Sequence, residues 1–132
     1  MSSKLEQVST QDAPAAIGPY SQAIRAGDYL FLSGQIALDP ASGRLVGKDV
    51  QEQTAQVMKN LTGVLKSQGR DLSALVKTTV FLKDMADFPL FNEIYAGFLK
   101  APYPARATIE VSRLPKDAVV EIEAVAYVPR NA

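Results

Sequence analysis

Residues 104–128 read PARATIEVSRLPKDAVVEIEAVAYV, two alternating runs around a short loop. Strand side chains point to opposite faces with a period of two, so Arg106 and Thr108 share one face of the first run, and Glu121 and Glu123 share one face of the second. The apolar faces consist of Ala105, Ala107, Ile109 and Val111, and of Val120, Ile122, Ala124, Ala126 and Val128. Paired as a hairpin over a core, the runs would place a guanidinium and two carboxylates on the far side of the sheet. Such a surface could hold a small anion and position a water molecule.

The remaining chain predicts a complete α+β fold. Strand patterns cover residues 4–8, 22–26, 29–36 and 76–82, a helical pattern covers 50–68, and a second helix runs from 88 until the Pro-rich break at 100–104. The resulting order is β-β-β-α-β-α-β-β, in which two helices cover one face of a mixed six-stranded sheet. We expect residues 1–132 to form a single domain, because this length suits one hydrophobic core.

Local signals mark the helix ends. Asp49 is a candidate N-cap of the first helix and Gly69 a candidate stop. Asp87 is a candidate cap of the second helix, with Pro89 in its first turn. In the strand before the first helix, the alternation predicts that Gln35 lies on the polar face.

The composition excludes several classes of protein. Lys+Arg and Asp+Glu number 14 each, so the chain has no net positive charge that would favour binding to nucleic acid. The apolar runs are too short to span a membrane. The chain has no His and no Cys, which rules out a Ser-His-Asp triad, a Cys nucleophile and thiolate or imidazole zinc sites. We expect no metal and no cofactor. Without disulfides or a secretory pattern at residues 1–7, we expect a cytoplasmic protein.

One face of the predicted sheet has no covering helix. Its aromatic and aliphatic residues are Tyr29, Phe31, Phe81, Val119, Val125 and Tyr127. Because a monomer would expose this patch to water, we expect a closed homo-oligomer in which sheets pack against one another.

Each polar candidate has an ordinary structural explanation beside a functional one. Arg106 could be a solvated side chain or a two-point grip for a carboxylate. Glu121 and Glu123 could be surface acids, or one of them could orient a water. Asn92 and Tyr20 could simply face solvent or pack. Ser33 lies on a polar strand face, next to a glycine that permits close backbone approach.

In combination the chain resembles the RidA (YjgF-type) family of reactive-intermediate deaminases. The matching segments are 13–22 (APAAIGPYSQ), 33–35 (SGQ), 76–84 (VKTTVFLKD), 91–95 (FNEIY), 103–106 (YPAR), 114–117 (LPKD) and 121–124 (EIEA). The resemblance implies a chorismate-mutase-like homotrimer with three clefts between subunits. It also implies hydrolysis of 2-imino acids, such as 2-iminobutanoate and 2-iminopropanoate, to 2-oxo acids and ammonia.

The resemblance assigns roles to individual residues. Arg106 would grip the substrate carboxylate and Glu121 would place the hydrolytic water. Tyr20, Asn92 and Ser33 would line the cleft. Thr108 occupies a position where the family's archetypal deaminases often carry cysteine, so the substrate range stays open.

Two alternatives to a deaminase remain at the level of sequence. A trimer that senses a small ligand, or acts as a chaperone, would have the same pattern. A single-strand endoribonuclease, described among relatives, fits less well because the chain has no His for proton transfer and no net positive charge.

Overall fold

The computed structural model describes residues 4–130, and over this range it confirms the predicted fold class and element order. The strands are β1 (Glu6–Val8), β2 (Ala23–Ala26), β3 (Tyr29–Gln35), β4 (Leu75–Leu82), β5 (Ala105–Glu110) and β6 (Val120–Tyr127). The helices are α1 (Val50–Lys66) and α2 (Phe88–Gly97), with 3₁₀ turns at Leu72–Ala74, Met85–Asp87 and Pro115–Asp117.

The strands form one mixed sheet in the order β1-β2-β3-β6-β4-β5. All neighbours are antiparallel except β4 and β5, which run parallel because α2 carries the chain back between them. The predicted hairpin between β5 and β6 is therefore wrong. β6 pairs with β3 and β4, and β4 separates it from β5.

The core lies between the sheet and the two helices. Alternation was correct for β4 and β6, whose inward residues Val80, Leu82 and Ile122 have no solvent exposure. Helix α1 packs its apolar side onto them, including the fully buried Val57 and Leu61. Burying each such side chain contributes about 1.5–3 kcal/mol, so the sheet–helix interface stabilises the subunit.

The helix ends follow local signals with one exception. The Asp49 carboxylate accepts a hydrogen bond from the Glu52 amide at 2.8 Å, and Gly69 has a left-handed backbone just beyond α1. Asp87 makes no side-chain cap, contrary to prediction. A 3₁₀ turn at Met85–Asp87 precedes α2, and Asp84 caps this turn by accepting a hydrogen bond from the Ala86 amide.

The second face of the sheet is uncovered in a single chain. Tyr29, Phe31 and Tyr127 are each 45–49% exposed, and the Tyr29 and Tyr127 rings lie 5.4 Å apart between centroids. An apolar patch of this kind is typical of a protein interface. Within residues 4–130, no helix is both long enough and apolar enough to cross a bilayer.

Candidate active site

Arg106 lies against helix α2. Its guanidinium carbon is 5.3 Å from the ring centre of Phe88, 5.9 Å from that of Phe91 and 5.1 Å from that of Tyr95. Its Nη1 donates a hydrogen bond to the Asn92 amide oxygen at 2.8 Å. Arg106 itself remains exposed, so the guanidinium is held from one side and open to a ligand from the other.

The prediction that Arg106 and Thr108 point away from the helices is wrong. In the parallel register Arg106 pairs with Thr78 and Thr108 with Val80, both buried on the helix side. Strand β5 is an edge strand, and its Ala105, Ala107 and Ile109 face the uncovered side of the sheet. The alternation pattern defined two faces but could not say which one the core would cover.

Thr108 places a hydroxyl group beside this arginine. Its Oγ1 atom is shielded from solvent and has no hydrogen-bond partner within residues 4–130. A buried polar atom without a partner costs stability, so this hydroxyl lacks a stabilising contact in the single chain.

Glu121 belongs to a cavity of about 680 Å³ at the end of the opposite sheet face. Tyr20, Ser33 and Glu123 line this cavity together with Glu121. The remaining wall is mostly apolar and is formed by Pro14, Ala15, Ile17, Gln22, Gly34, Gln35, Ile36, Leu38, Pro115 and Lys116.

A bulge in β3 makes room for the Glu121 side chain. The register between β3 and β6 shifts between Leu32 and Gln35. As a result the Gln35 side chain lies on the buried face of the sheet, contrary to the predicted alternation. A Cβ atom at Gly34 would lie only 2.1 Å from Glu121 Oε2. Glycine at 34 is therefore required for the carboxylate to lie along the strand. The neighbouring Ser33 hydroxyl donates to the Ser21 carbonyl at 2.5 Å.

Two buried glutamines, missed by the sequence analysis, hold the loops around the cavity. Gln22 Nε2 donates to the carbonyls of Ala13 and Pro14 and so fixes the loop that leads to Tyr20. Gln53 on α1 accepts from the Val119 amide at 2.9 Å, just before β6. The signal for Gln53 was a polar residue inside the apolar stripe of α1, three residues after Val50.

Lys116 on the cavity wall was also missed. Lys116 and Asp117 have left-handed backbones, with φ of 56° and 57°. This conformation costs a residue other than glycine roughly 1–2 kcal/mol, and such residues concentrate at functional sites. Nothing in the spacing of Leu114-Pro115-Lys116-Asp117 predicts two successive left-handed residues.

The pKa of the Glu121 carboxyl is raised above its ordinary value. Burial against the cavity wall is the main cause, and the nearby charge of Glu123 adds to it. A carboxyl whose pKa moves toward neutrality both accepts and returns a proton more readily near pH 7.

The same shift predicts a pH-dependent gain in stability for Glu121→Gln. A raised pKa means that the folded state binds more protons than the unfolded state, so native stability falls as pH rises through the interval above about 4.3. Glutamine does not ionise, so the Glu121→Gln variant does not lose stability in this way as the pH rises. Thermal unfolding should give a higher Tm than wild type at pH 8, with the difference disappearing near pH 4. A variant that is less stable at both pH values would contradict the burial cause.

The two groups of predicted residues lie on opposite sides of the sheet. Arg106 and Thr108 lie on the helix side of the sheet, where Asn92 of α2 contacts Arg106, whereas Tyr20, Ser33 and Glu121 line the cavity on the other side. A ligand cannot contact Arg106 and Glu121 of the same chain through the intervening sheet. One chain therefore carries two separate half-sites, here named the arginine half-site and the glutamate half-site.

Comparison with known proteins identifies the family. The family model described as "Endoribonuclease L-PSP" matches residues 10–128. The human 2-iminobutanoate/2-iminopropanoate deaminase is 50% identical over 127 residues, covering 96% of this chain and 93% of the human protein. The crystal structure of RidA from Psychrobacter superposes with a TM-score of 0.90 at 40% identity, covering 93% and 99% of the two chains.

Escherichia coli TdcF with bound serine superposes with a TM-score of 0.88 at 40% identity, covering 92% of this chain and 98% of TdcF. These matches span nearly all of the fold and both half-sites. The chain therefore belongs to the RidA (YjgF-type) family, whose model is described as Endoribonuclease L-PSP.

Proposed function

We propose that this chain is a hydrolytic deaminase that converts 2-imino acids, such as 2-iminobutanoate and 2-iminopropanoate, to 2-oxo acids and ammonia. The observation that carries the proposal is the pair of half-sites: a fixed but accessible guanidinium on one, and a half-buried carboxyl with a raised pKa on the other. Human and mouse relatives at 50% identity carry the name of this activity.

The reaction requires capture of the substrate and one oriented water molecule. Arg106 binds the α-carboxylate, since a guanidinium matches its two oxygens. Thr108 lies two residues further along the same face of β5 and completes this half-site in the proposal. The Asn92 amide oxygen accepts a hydrogen bond from the guanidinium and so restrains it.

Glu121 acts on the carbon–nitrogen bond. Its carboxylate takes a proton from the water as the oxygen adds to the C=N carbon of the protonated imine, which gives a tetrahedral amino alcohol. It returns this proton to the nitrogen and takes the hydroxyl proton as the C–N bond breaks, so the C=O bond of the 2-oxo acid forms and ammonia leaves. The carboxyl group then passes its proton to the ammonia and is ionised again. Imine hydrolysis also proceeds slowly in water, so orientation and proton transfer are sufficient without a metal or a covalent nucleophile.

Ser33 and Tyr20 complete the glutamate half-site in this proposal. Ser33 Oγ already donates to a backbone carbonyl, so it offers a lone pair toward the water or the departing nitrogen. Tyr20 is 54% exposed at the rim of the cavity, where its ring can cover a bound substrate.

We also propose that three chains form a closed ring whose clefts join the arginine half-site of one chain to the glutamate half-site of the next. The exposed ring pair Tyr29 and Tyr127 supports this assembly, because a neighbouring sheet would remove the patch from water. Light scattering at micromolar concentration should give three times the 14.2 kDa chain mass. A monomer mass would contradict both the ring and the shared cleft.

Mixed trimers test whether the cleft is shared. Arg106→Ala and Glu121→Gln chains, coexpressed with different tags and purified through both, should regain activity that neither variant has alone. In every mixed trimer of a closed ring, one of the three clefts combines an intact Arg106 with an intact Glu121 from the adjacent chain, so about one third of the sites should be active. Mixed trimers without activity would mean that both residues act within one chain.

The activity itself is tested with a coupled assay. A threonine dehydratase generates 2-iminobutanoate, and release of 2-oxobutanoate is followed with and without this protein. Acceleration above the rate in buffer supports the proposal. Binding of 2-oxobutanoate with no acceleration would support the ligand-sensing alternative instead.

The endoribonuclease alternative has no support from the residues of this chain, because the chain has no His and no net positive charge. The cysteine-free composition suits a cytoplasmic location, which we propose with the activity.

A further inference from the structure

We propose that the aromatic rings of α2 are positioning residues for Arg106, and that Tyr95, anchored to β4, fixes the plane in which the guanidinium meets a substrate carboxylate. The inference rests on the proposed role of Arg106 in binding that carboxylate. It assigns to Phe88 and Tyr95 a part in affinity in addition to packing.

Helix periodicity creates the aromatic shelf. Phe88, Phe91 and Tyr95 are separated by three and four residues, so their side chains lie on one face of α2, directly over β5. All three ring centres lie between 5.1 and 5.9 Å from the guanidinium carbon of Arg106. These distances fall within the range of about 6 Å over which a ring attracts a cation.

The sheet fixes the Tyr95 ring from its other end. The Tyr95 hydroxyl shares a buried hydrogen bond of 2.7 Å with the Thr78 hydroxyl. Thr78 is also the strand partner of Arg106 across β4 and β5. A tilted contact of 5.1 Å with Phe91 restrains the same ring. The arginine and the ring beneath it are therefore anchored to adjacent positions of one sheet.

This arrangement orders a side chain that is otherwise highly flexible. The shelf restrains one side of the guanidinium, and Asn92 occupies one of its five N–H groups, which leaves four for a ligand. Because the rotamer entropy of Arg106 is already lost on folding, less of it is lost when a carboxylate binds. The shelf therefore changes the affinity for the carboxylate and leaves the bond-breaking step to other residues.

Phe88→Leu and Tyr95→Leu should each raise KM for 2-iminobutanoate about three- to fivefold, with kcat within about twofold of wild type. The dissociation constant of 2-oxobutanoate, measured by calorimetry, should rise by the same factor. Tyr95→Phe keeps the ring and loses only its tether, so its KM should rise about twofold. Phe98→Leu is the matched control, because Phe98 packs against the core from the end of α2 and lies outside the shelf.

Several outcomes would overturn the inference. It is wrong if both leucine variants at 88 and 95 bind 2-oxobutanoate as wild type does while Arg106→Ala does not. It is also wrong if the shelf variants and Phe98→Leu lose kcat and affinity together, since that pattern indicates packing alone. If Arg106→Ala itself binds 2-oxobutanoate normally, the proposed site fails, and the inference fails with it. Binding is measured on trimers of confirmed mass, so loss of assembly cannot imitate loss of positioning.

Discussion

Arg106→Ala should reduce kcat/KM for 2-iminobutanoate by about 30-fold to several thousand-fold while the chain still folds. Removing one partner of a close charge pair costs about 2–5 kcal/mol, and the substrate carboxylate would lose its only opposing guanidinium in the proposed cleft. Folding should be affected much less. Arg106 is exposed, and its contacts with the α2 rings are worth about 0.5–1 kcal/mol at an exposed site.

Two further variants make the Arg106 result specific. Arg106→Lys keeps the charge but lacks the planar two-point grip and the stacking surface, so it should recover little of the lost activity. Arg44→Ala removes an exposed arginine that lines neither half-site and should behave as wild type. A lysine variant with near-native turnover would show that Arg106 supplies only positive charge, or no interaction at all.

Alternation predicted correctly in β6, a regular strand that is covered on one face. In β6, Val120, Ile122 and Ala124 are buried and Glu121 and Glu123 are on the open side, as their spacing indicates. Helix α1 was predicted almost to the residue, because its apolar period and its cap at Asp49 agree. These features depend on local sequence and on a single core.

Alternation failed for Arg106 because strand β5 is exposed on both faces. Five of its six residues are exposed, so the core does not select between them. Which face meets the helices is decided by the parallel register with β4, and that register is set by the length of the α2 connection. A pattern of residues 104–111 contains no information about that length. The resemblance to RidA proteins grouped Arg106 with Glu121 in a cleft between subunits, and the opposite sheet faces of the two residues in one chain agree with the proposed shared cleft.

The bulge in β3 is a second feature that the sequence pattern could not locate. Ser33-Gly34-Gln35 continues the alternation of the preceding residues, so a regular strand was expected. In the structure, the register shifts between Leu32 and Gln35, and the Glu121 carboxylate lies against Gly34, where there is no Cβ atom. Gly34 is the only visible trace of this in the sequence, and a glycine in a strand has several other causes.

Glu121→Gln should lower kcat about 100-fold or more, with a much smaller change in KM. Positioned proton transfer contributes roughly 10²–10⁴-fold to a rate, and glutamine keeps the shape of the side chain but cannot exchange the proton. Glu123→Gln should stay within about threefold of wild type, because Glu123 is exposed and acts mainly by raising the pKa of Glu121.

Sequence alternation places Glu121 and Glu123 on the same face and does not distinguish their roles. Comparing Glu121→Gln with Glu123→Gln does distinguish them. Both are measured in the coupled imine assay on trimers of equal mass. Glu123→Gln should also move the acidic limb of the kcat–pH profile to lower pH, since it removes the neighbouring negative charge that raises the pKa of Glu121. If Glu123→Gln is the variant that loses turnover, the water is held by Glu123 and not by Glu121. If both variants retain kcat, backbone groups orient the water and the proton-transfer role of Glu121 is wrong.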